Sequence, residues 1–544
     1  FYVGNYCPLS IGSYALDTAL GGLNAMSYHL TNLLLHWFNA VLLYFLILTV
    51  QPKRNVALFT ALLFALNPVQ VEAVAWISER KTLLCAFFYL LSLWQYAIYL
   101  KKPKAFRLAL IYVFAIAAML SKAIAVSLPL AMVAIDMWLL REMNVKKHLA
   151  VKVPLMVISV IIGLVAIKAE AAGKFLGLHP EFSGLNSLLL SAQTYMHYIF
   201  HVVWPVHLSL YYLFPDHLSS VHYLYLFIAL IIGFLFIIAV YKKEYVFSGG
   251  ILFFTVNIAL VLQFVQFSYF LSADHYSYIA SIGIIFPVVY YLFYGVGLLN
   301  RPIAGLVICS CVSILLLVAC AKETNIWTSD LNFVTALTDG YPNSSVAQST
   351  EGAVLMKYGK YAEAETHLTR AVLLDPRNYK AWYNKGAVAL QQGNAVEALN
   401  AFNRCLGIYP YSLAYFDRAV LNMSTGKIGP ALDDANQTLS AQPGNARAWY
   451  IKGYCLAGSG NIEGAIGCYD KAISFEGTEP LFYQMRGKAY TDQHQYSLAI
   501  MDLNTAIAMD KGNAVSYYYR GIAKYESGGA PCSDFQTALQ KGYR

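Results

Sequence analysis

The stretch NPVQVEAVAWISERK, Asn67–Lys81, lies between two apolar runs, Val56–Leu66 and Thr82–Leu100. Within it, Glu72, Glu79, Arg80 and Lys81 lie within ten residues of one another. Inside a membrane helix a charged side chain costs about 3 kcal/mol or more unless it is paired, hydrated or used. Two readings of the cluster are open. Carboxylates beside a tight cationic group, at the mouth of a membrane helix, suit an anionic lipid head group. Alternatively the stretch is an interfacial cap from which Arg80 and Lys81 snorkel to water.

The rest of the chain bears on that choice. Its 544 residues are 58% hydrophobic and 12% charged, against about 25% charged in an ordinary soluble domain. The apolar excess is confined to residues 1–321; residues 322–544 have soluble composition. The expected organisation is a membrane domain over 1–321, a connector over 322–342 and a soluble domain over 343–544. A net charge of +8 fits lysines in cytoplasmic loops better than nucleic-acid binding. Nine cysteines without a CxxC pair argue against a zinc ribbon or a thiol redox motif. Cys309, Cys311 and Cys320 read as packing residues, and Cys455 with Cys468 as candidate neighbours across a helical hairpin. The first residue is Phe1, in a polar, turn-rich stretch, and the expectation is that the natural N-terminus lies further upstream.

Apolar segments run over 28–50, 56–67, 83–100, 108–120, 123–140, 153–169, 221–240, 246–268, 277–298 and 303–321. Several are shorter than the ~20 residues needed to cross a bilayer, as expected for tilted or broken helices lining a cavity. Lys53-Arg54, Lys101-Lys102-Lys104-Arg107, Arg141-Lys146-Lys147, Lys242-Lys243 and Arg301 fall at alternate connections. The positive-inside rule makes these cytoplasmic. Ser187–Trp204 is apolar enough to cross, but a crossing there would reverse the later loops. It also carries Gln193, His197 and His201 and is closed by Trp204-Pro205. It reads as a re-entrant or interfacial helix on the outer side, which leaves 322–544 outside too.

The outer face then collects the polar chemistry: Asn5, Tyr6, Asp17, His29, Asn32 and His36, the Glu72–Lys81 loop, Lys122, His197, His201, and the run Asp274-His275-Tyr276. An ordinary structural role stands beside each. His29 and His36 could bond across helices, and Asp274 could cap the helix near Ser277.

From Asn343 the sequence repeats. Gly352, Gly386, Gly453, Gly487 and Gly521 recur on a 34-residue period, with Ala419 in a repeat one residue short. Ala364, Ala398, Ala431, Ala465 and Ala499 keep step, as do Pro376, Pro410 and Pro443. This is the tetratricopeptide pattern of paired helices, in five to six units. Such solenoids offer a concave face for extended peptides or partner proteins. Tyr383, Asn384, Tyr415, Tyr450 and Tyr483 are the candidate acceptor-binding side chains; packing between helices is the alternative for each.

Taken in order, GNYCPLSIGSYALDTALGGLNAMSYHLTNLLLHWFN, FALNPVQVEAVAWISERKTLLCAFFYLLSLW, AMLSKAIAVSLPLAMVAIDMW, WPVHLSLYYLFP and ADHYSYIASIG form a set of blocks. With the repeats, this set resembles the bacterial relatives of the transmembrane and tetratricopeptide-repeat O-mannosyltransferases. The resemblance implies an all-α chain: a polytopic GT-C-type membrane domain followed by a repeat solenoid. It implies a polyprenyl-phosphate-linked sugar donor in the membrane and transfer with inversion to Ser or Thr of a polypeptide acceptor. By matching blocks, Arg80, Lys81, Lys122 and His275 would bind the donor phosphate. Glu72 and Glu79 would orient them or move protons, and Asp274, Tyr276, His197 and His201 would line the sugar or lipid pocket. No metal ligand is assigned, and divalent-metal dependence stays open. Two departures stand out: related sequences usually carry arginine where His275 stands and a basic or imidazole residue where Cys7 stands. The family's acidic motif lies in the first outer loop, ahead of the residues present here, with Asp17 the nearest acid.

The expected setting is a bacterial inner membrane with the repeats in the periplasm. The export translocon is a candidate partner and nucleic acid is not. A membrane-anchored repeat scaffold for secretion or envelope assembly is the alternative, distinguished by having no need of the outer polar cluster. A lipid-linked sugar flippase would need polar residues along the whole crossing, which the inner half lacks.

Overall fold

The computed structural model describes residues 7–141, 148–172, 184–206, 208–209, 212–215, 218–262, 264 and 270–543. Asn5, Tyr6, Lys146 and Lys147 lie outside them. The described residues are helical or irregular, with one isolated bridge between Tyr212 and Ser272. They divide into two units, Phe1–Gly340 and Tyr341–Arg544. Over 322–342, the last apolar helix runs to Ile326, and Asp330–Gly340 forms a helix of its own at the end of the first unit.

The first unit contains α1 (Pro8–Gly21), α2 (Ala25–Val50), α3 (Arg54–Ala65), α4 (Val71–Ala75), α5 (Arg80–Lys101), α6 (Ala105–Ser121) and α7 (Leu128–Leu140). It continues with α8 (Leu149–Ala172), α9 (Leu185–Val203), α10 (Ser220–Tyr241), α11 (Tyr245–Ile258), α12 (Ser277–Ala280), α13 (Ile282–Leu298), α14 (Pro302–Ile326) and α15 (Asp330–Gly340). Six of its helical stretches are long and apolar enough to cross a membrane, or up to eight if each of two bent pairs counts as one span. That is the pattern of a multi-pass membrane protein. α9 is not one of the six. The expected segment 246–268 is shorter as a helix: α11 ends at Ile258 and a 3-10 turn carries it to Val261. α10 turns Phe227, Leu230, Phe234 and Ile237 outward, all more than 60% exposed, as a lipid-facing helix would.

The two bent pairs organise the unit. Arg54–Ala65 and Pro68–Ala75 meet at 54°, and Asp274–Ala280 and Ile282–Leu298 at 53°. The first break follows from Asn67-Pro68. Asn67 takes the extended conformation that a following proline favours, and its Oδ1 accepts from the Val69 amide at 3.2 Å. The second break is at Ser281, whose hydroxyl donates to the Tyr278 carbonyl at 2.9 Å. Gln70 Nε2 donates to Ser281 Oγ at 3.1 Å and ties the breaks together. Irregular backbone is tolerated at membrane depth where protein buries it.

Close packing sets the helix positions. A Cβ on Gly250 would stand 2.5 Å from the Gly283 carbonyl oxygen, and one on Gly283 2.6 Å from that of Gly250. α11 and α13 therefore touch backbone to backbone, the use small residues have between membrane helices. Deeper in, Asp136 accepts from Tyr96 Oη at 2.7 Å and pairs with Lys152.

The second unit is six helical hairpins: α16 (Ser345–Lys357) with α17 (Tyr361–Leu374), α18 (Tyr379–Gln391) with α19 (Ala395–Ile408), and α20 (Ser412–Ser424) with α21 (Ile428–Ala441). They are followed by α22 (Ala446–Gly458) with α23 (Ile462–Phe475), α24 (Pro480–Asp492) with α25 (Tyr496–Met509), and α26 (Ala514–Glu526) with α27 (Cys532–Gln540). The repeat chemistry is visible in pairs. A Cβ on Gly386 would lie 2.6 Å from the Phe402 ring, and one on Gly453 2.6 Å from the Tyr469 ring. Trp382 and Trp449 each donate to the carbonyl of the proline that precedes their helix, at 3.0 and 2.8 Å. Arg418–Asp434, Arg486–Asp502 and Arg520–Asp534 fork across the third, fifth and sixth hairpins. Cys455 and Cys468 are buried and unbridged.

Candidate functional site

The breaks place carboxylates and cations together. α4 carries Glu72, and the turn Ile77–Glu79 carries Glu79 just before α5. Lys122 ends α6, and the turn Asp274–Tyr276 brings His275 from the far side of the sequence.

Glu79 is 1% exposed and fully engaged. Its Oε1 lies 2.9 Å from Lys81 Nζ. Its Oε2 accepts from Thr82 Oγ1 at 2.5 Å and Lys122 Nζ at 3.1 Å, with His275 Nε2 at 3.7 Å. Lys122 Nζ also donates to Thr82 Oγ1 at 2.7 Å and stands 5.0 Å above the Tyr276 ring. Glu72 accepts twice from His275, from the backbone N–H and from Nδ1, both at 2.8 Å. The edge of Trp76 meets the His275 ring, centroids 6.0 Å apart. Glu79 thus faces two ammonium groups, whereas Glu72 faces only His275. Burial lowers the Lys122 ammonium below the usual lysine range, opposed by Glu79. A crevice of about 10 Å³, room for one water, is lined by Thr82, Lys122, Asn257, His275 and Tyr276 among others.

The structure thus brings Glu72, Glu79, Lys81, Lys122, His275 and Tyr276 together. Every oxygen of Glu72 and Glu79 accepts from a neighbour, so these two groups position the cations. Arg80 is the correction. It is fully buried and points away, with its guanidinium 2.6 Å from Asp17 Oδ2. It donates to Asn32 Oδ1 and to the carbonyls of Tyr28 and Ser13 at 2.9, 2.9 and 3.3 Å. The Tyr14 ring packs on it at 4.7 Å. With its donors committed to α1 and α2, Arg80 is a clamp and has no free face for a phosphate.

Asp274, His201 and His197 form a second cluster. Tyr212 Oη lies 3.0 Å from both His201 Nδ1 and Asp274 Oδ2. The Asp274 side chain does not cap α12, whose first turn is bonded by the Ser277 hydroxyl to the Asp274 carbonyl at 2.8 Å. His36 does bond across helices, to Tyr278 Oη at 2.6 Å and the Ala65 carbonyl at 3.1 Å.

Three features escaped the sequence reading. Tyr212 sits in a run of similar aromatics with nothing to single it out. Asn257 joins Tyr89 and Ser127 beside the crevice, at 2.8 and 3.1 Å. Glu323, one turn before Trp327 on α14, has no cation within ion-pair distance among the described residues, and Trp327 packs on Trp76 with centroids 6.4 Å apart. An acid near the end of the last apolar helix was the available signal.

In the repeats, Tyr383, Asn384, Tyr415, Tyr450 and Tyr483 are half-buried, not exposed. Tyr383 donates to Asp417 Oδ2 at 3.0 Å and packs on Phe402 and Tyr411. Tyr450 stacks on Phe482, and Tyr483 donates to the Gly477 carbonyl at 3.2 Å. Tyr415 lies under the Arg418 guanidinium at 5.8 Å.

Comparison with known proteins bears on both units. The tetratricopeptide-repeat family model matches residues 350–412 and 416–478. The protein O-mannosyl-transferase Tmtc1 of Drosophila melanogaster is 32% identical over 124 residues, 23% of this chain and 14% of that protein. The protein O-mannosyl-transferase TMTC1 of Mus musculus is 40% identical over 93 residues, 17% of this chain and 10% of that protein. Among solved structures, the TPR protein YrrB, described as having an unusual peptide-binding site, aligns at 16% identity and a TM-score of 0.32, over 34% of this chain and 96% of its own. The chain is therefore related, over these partial regions, to the tetratricopeptide-repeat protein O-mannosyl-transferases.

Proposed function

We propose that the chain is a membrane protein glycosyltransferase, moving a sugar from a polyprenyl-phosphate donor to serine or threonine of a polypeptide. The observation that carries this is the Lys81–Glu79–Lys122 group beside His275, gathered where two helices break. The lysines keep 24% and 14% of their side chains exposed, so an incoming phosphate can meet both, each charge-assisted bond replacing part of the hold on Glu79. An apolar groove of 350 Å³ between α9, α10 and α11, lined by Leu188, Tyr195, Leu226, Leu230 and Phe236, suits an isoprenoid tail. One apolar cluster, containing Tyr195, Phe254, Ile124 and Tyr276, packs against both groove and crevice.

Glu323 is the base this reading assigns. It is the nearby carboxylate left without a cation among the described residues, free to take the proton of an acceptor hydroxyl as the sugar carbon is attacked. The repeats would hold the acceptor, on the non-cytoplasmic side of a bacterial inner membrane, with docking at the export channel as an added possibility of this placement. The test is sugar transfer by the purified chain in proteoliposomes, given polyprenyl-phosphate-mannose and a serine- and threonine-rich polypeptide. Hexose addition that falls in Glu323→Gln supports the assignment. A chain that binds the polypeptide but transfers nothing supports the scaffold.

A further inference from the structure

We propose that His197, His201 and Asp274 form a binding site for a zinc ion. The idea goes beyond glycosyl transfer and stands without it. His197 and His201 are four residues apart on α9 and so share one face. Asp274 reaches them from the turn after the Tyr212–Ser272 bridge. One donor atom from each residue lies within 4.8 Å of the other two. His201 Nδ1 and Asp274 Oδ1 are 3.4 Å apart, close to the ~3.4 Å between two ligand atoms of a tetrahedral zinc site.

His197 makes poor sense as an ordinary packing partner of His201. Their rings sit 4.0 Å apart. His197 Nε2 is buried and has no hydrogen-bond partner, and neither does Gln193 Oε1 one turn earlier on the same face. Buried polar atoms are nearly always satisfied, and a cation beside this face would satisfy the imidazole.

Two imidazoles and one carboxylate are a zinc-type ligand set with a fourth position left for water. Asp274 would give Oδ1 to the ion and keep Oδ2 as acceptor from the Tyr212 hydroxyl, 3.0 Å away. That is the outer hydrogen bond that fixes a metal-bound carboxylate. Because Asp274 precedes His275, the ion would pin α9 to the turn that carries His275. Its role here is to hold that turn.

The test uses the full chain, purified in nanodiscs with a histidine-free tag, stripped with chelator and reloaded with zinc chloride or cobalt chloride. One zinc per chain is expected by elemental analysis, and cobalt should give the intense visible bands of tetrahedral coordination. His197→Gln and Asp274→Asn should weaken zinc at least roughly 10–100-fold, and Tyr212→Phe by about 10-fold. Zinc should raise the melting temperature of the stripped wild-type chain, which is measurable even if a variant does not fold. Substoichiometric zinc in the wild type, octahedral cobalt bands, or equal affinity in His197→Gln would overturn the proposal. Sugar transfer is not among the readouts, so its failure leaves this result intact.

Discussion

Lys122 Nζ lies 3.1 Å from Glu79 Oε2, on a carboxylate that is 1% exposed and that Lys81 holds from its other oxygen. The lysine follows the last residue of α6 and the glutamate precedes the first of α5, so the pair joins α6 to α5 and aims a cation at the crevice. On the proposed function, stability and donor binding share this contact, and the two can be separated.

Lys122→Met leaves Glu79 with Lys81 and Thr82, so the expected cost is about 1–3 kcal/mol. Glu79→Gln strands two lysines and should cost at least as much. The double variant should recover part of the loss, because removing both partners leaves no orphaned charge. Thermal melting in detergent measures the cycle. Donor binding should stay absent in the double variant, since no stability gain replaces the cation.

Arg80→Ala is expected to cost about 3–5 kcal/mol, the scale for breaking a buried ion pair. Arg80→Lys should rescue little, because one ammonium cannot serve Asp17, Asn32 and two carbonyls at once. Asp17→Ala should mimic the effect. Melting temperature and expression level are the measurements; a stable Arg80→Ala protein lacking only donor binding would restore Arg80 to the phosphate site.

Both outcomes bear on what the sequence could show. Charge scarcity in an apolar chain singles out Glu72, Glu79, Lys122 and His275, and the short apolar run 56–67 announces the broken helix at Asn67-Pro68, whereas the run 277–298 reads as continuous through the break at Ser281. Neighbours along the chain did not reveal which way each side chain points. Glu79, Arg80 and Lys81 are consecutive, yet Arg80 turns to Asp17 while Lys81 turns to Glu79 and Glu79 to Lys122. Tyr212 gains meaning only from a bridge to Ser272, a contact remote in sequence. The repeat period was legible because small and large residues alternate on fixed steps. The half-burial of the tyrosines follows from the same period, which packs them against neighbouring helices.

Gly453→Val puts a side chain where a Cβ already stands 2.6 Å from the Tyr469 ring. Overpacking should cost about 1–3 kcal/mol, felt first between α22 and α23. Hydrogen exchange should show those helices losing protection, and Tyr469→Leu in the same chain should restore part of it.

Tyr383→Phe removes the bond to Asp417 while keeping the ring against Phe402 and Tyr411. Burial raises the Asp417 carboxyl, so losing its hydroxyl donor should cost about 1–3 kcal/mol. Acceptor binding, followed by fluorescence anisotropy of a labelled polypeptide, should change little if this tyrosine serves packing.

The most direct measurement is sugar transfer from polyprenyl-phosphate-mannose to a serine- and threonine-rich polypeptide, scored by mass spectrometry for the wild type and the Glu79→Gln/Lys122→Met double variant in identical proteoliposomes. Hexose on the polypeptide with the wild type, and its loss in a double variant that still folds, is the predicted result. Equal transfer by the two proteins would contradict the placement of the donor phosphate at Lys122.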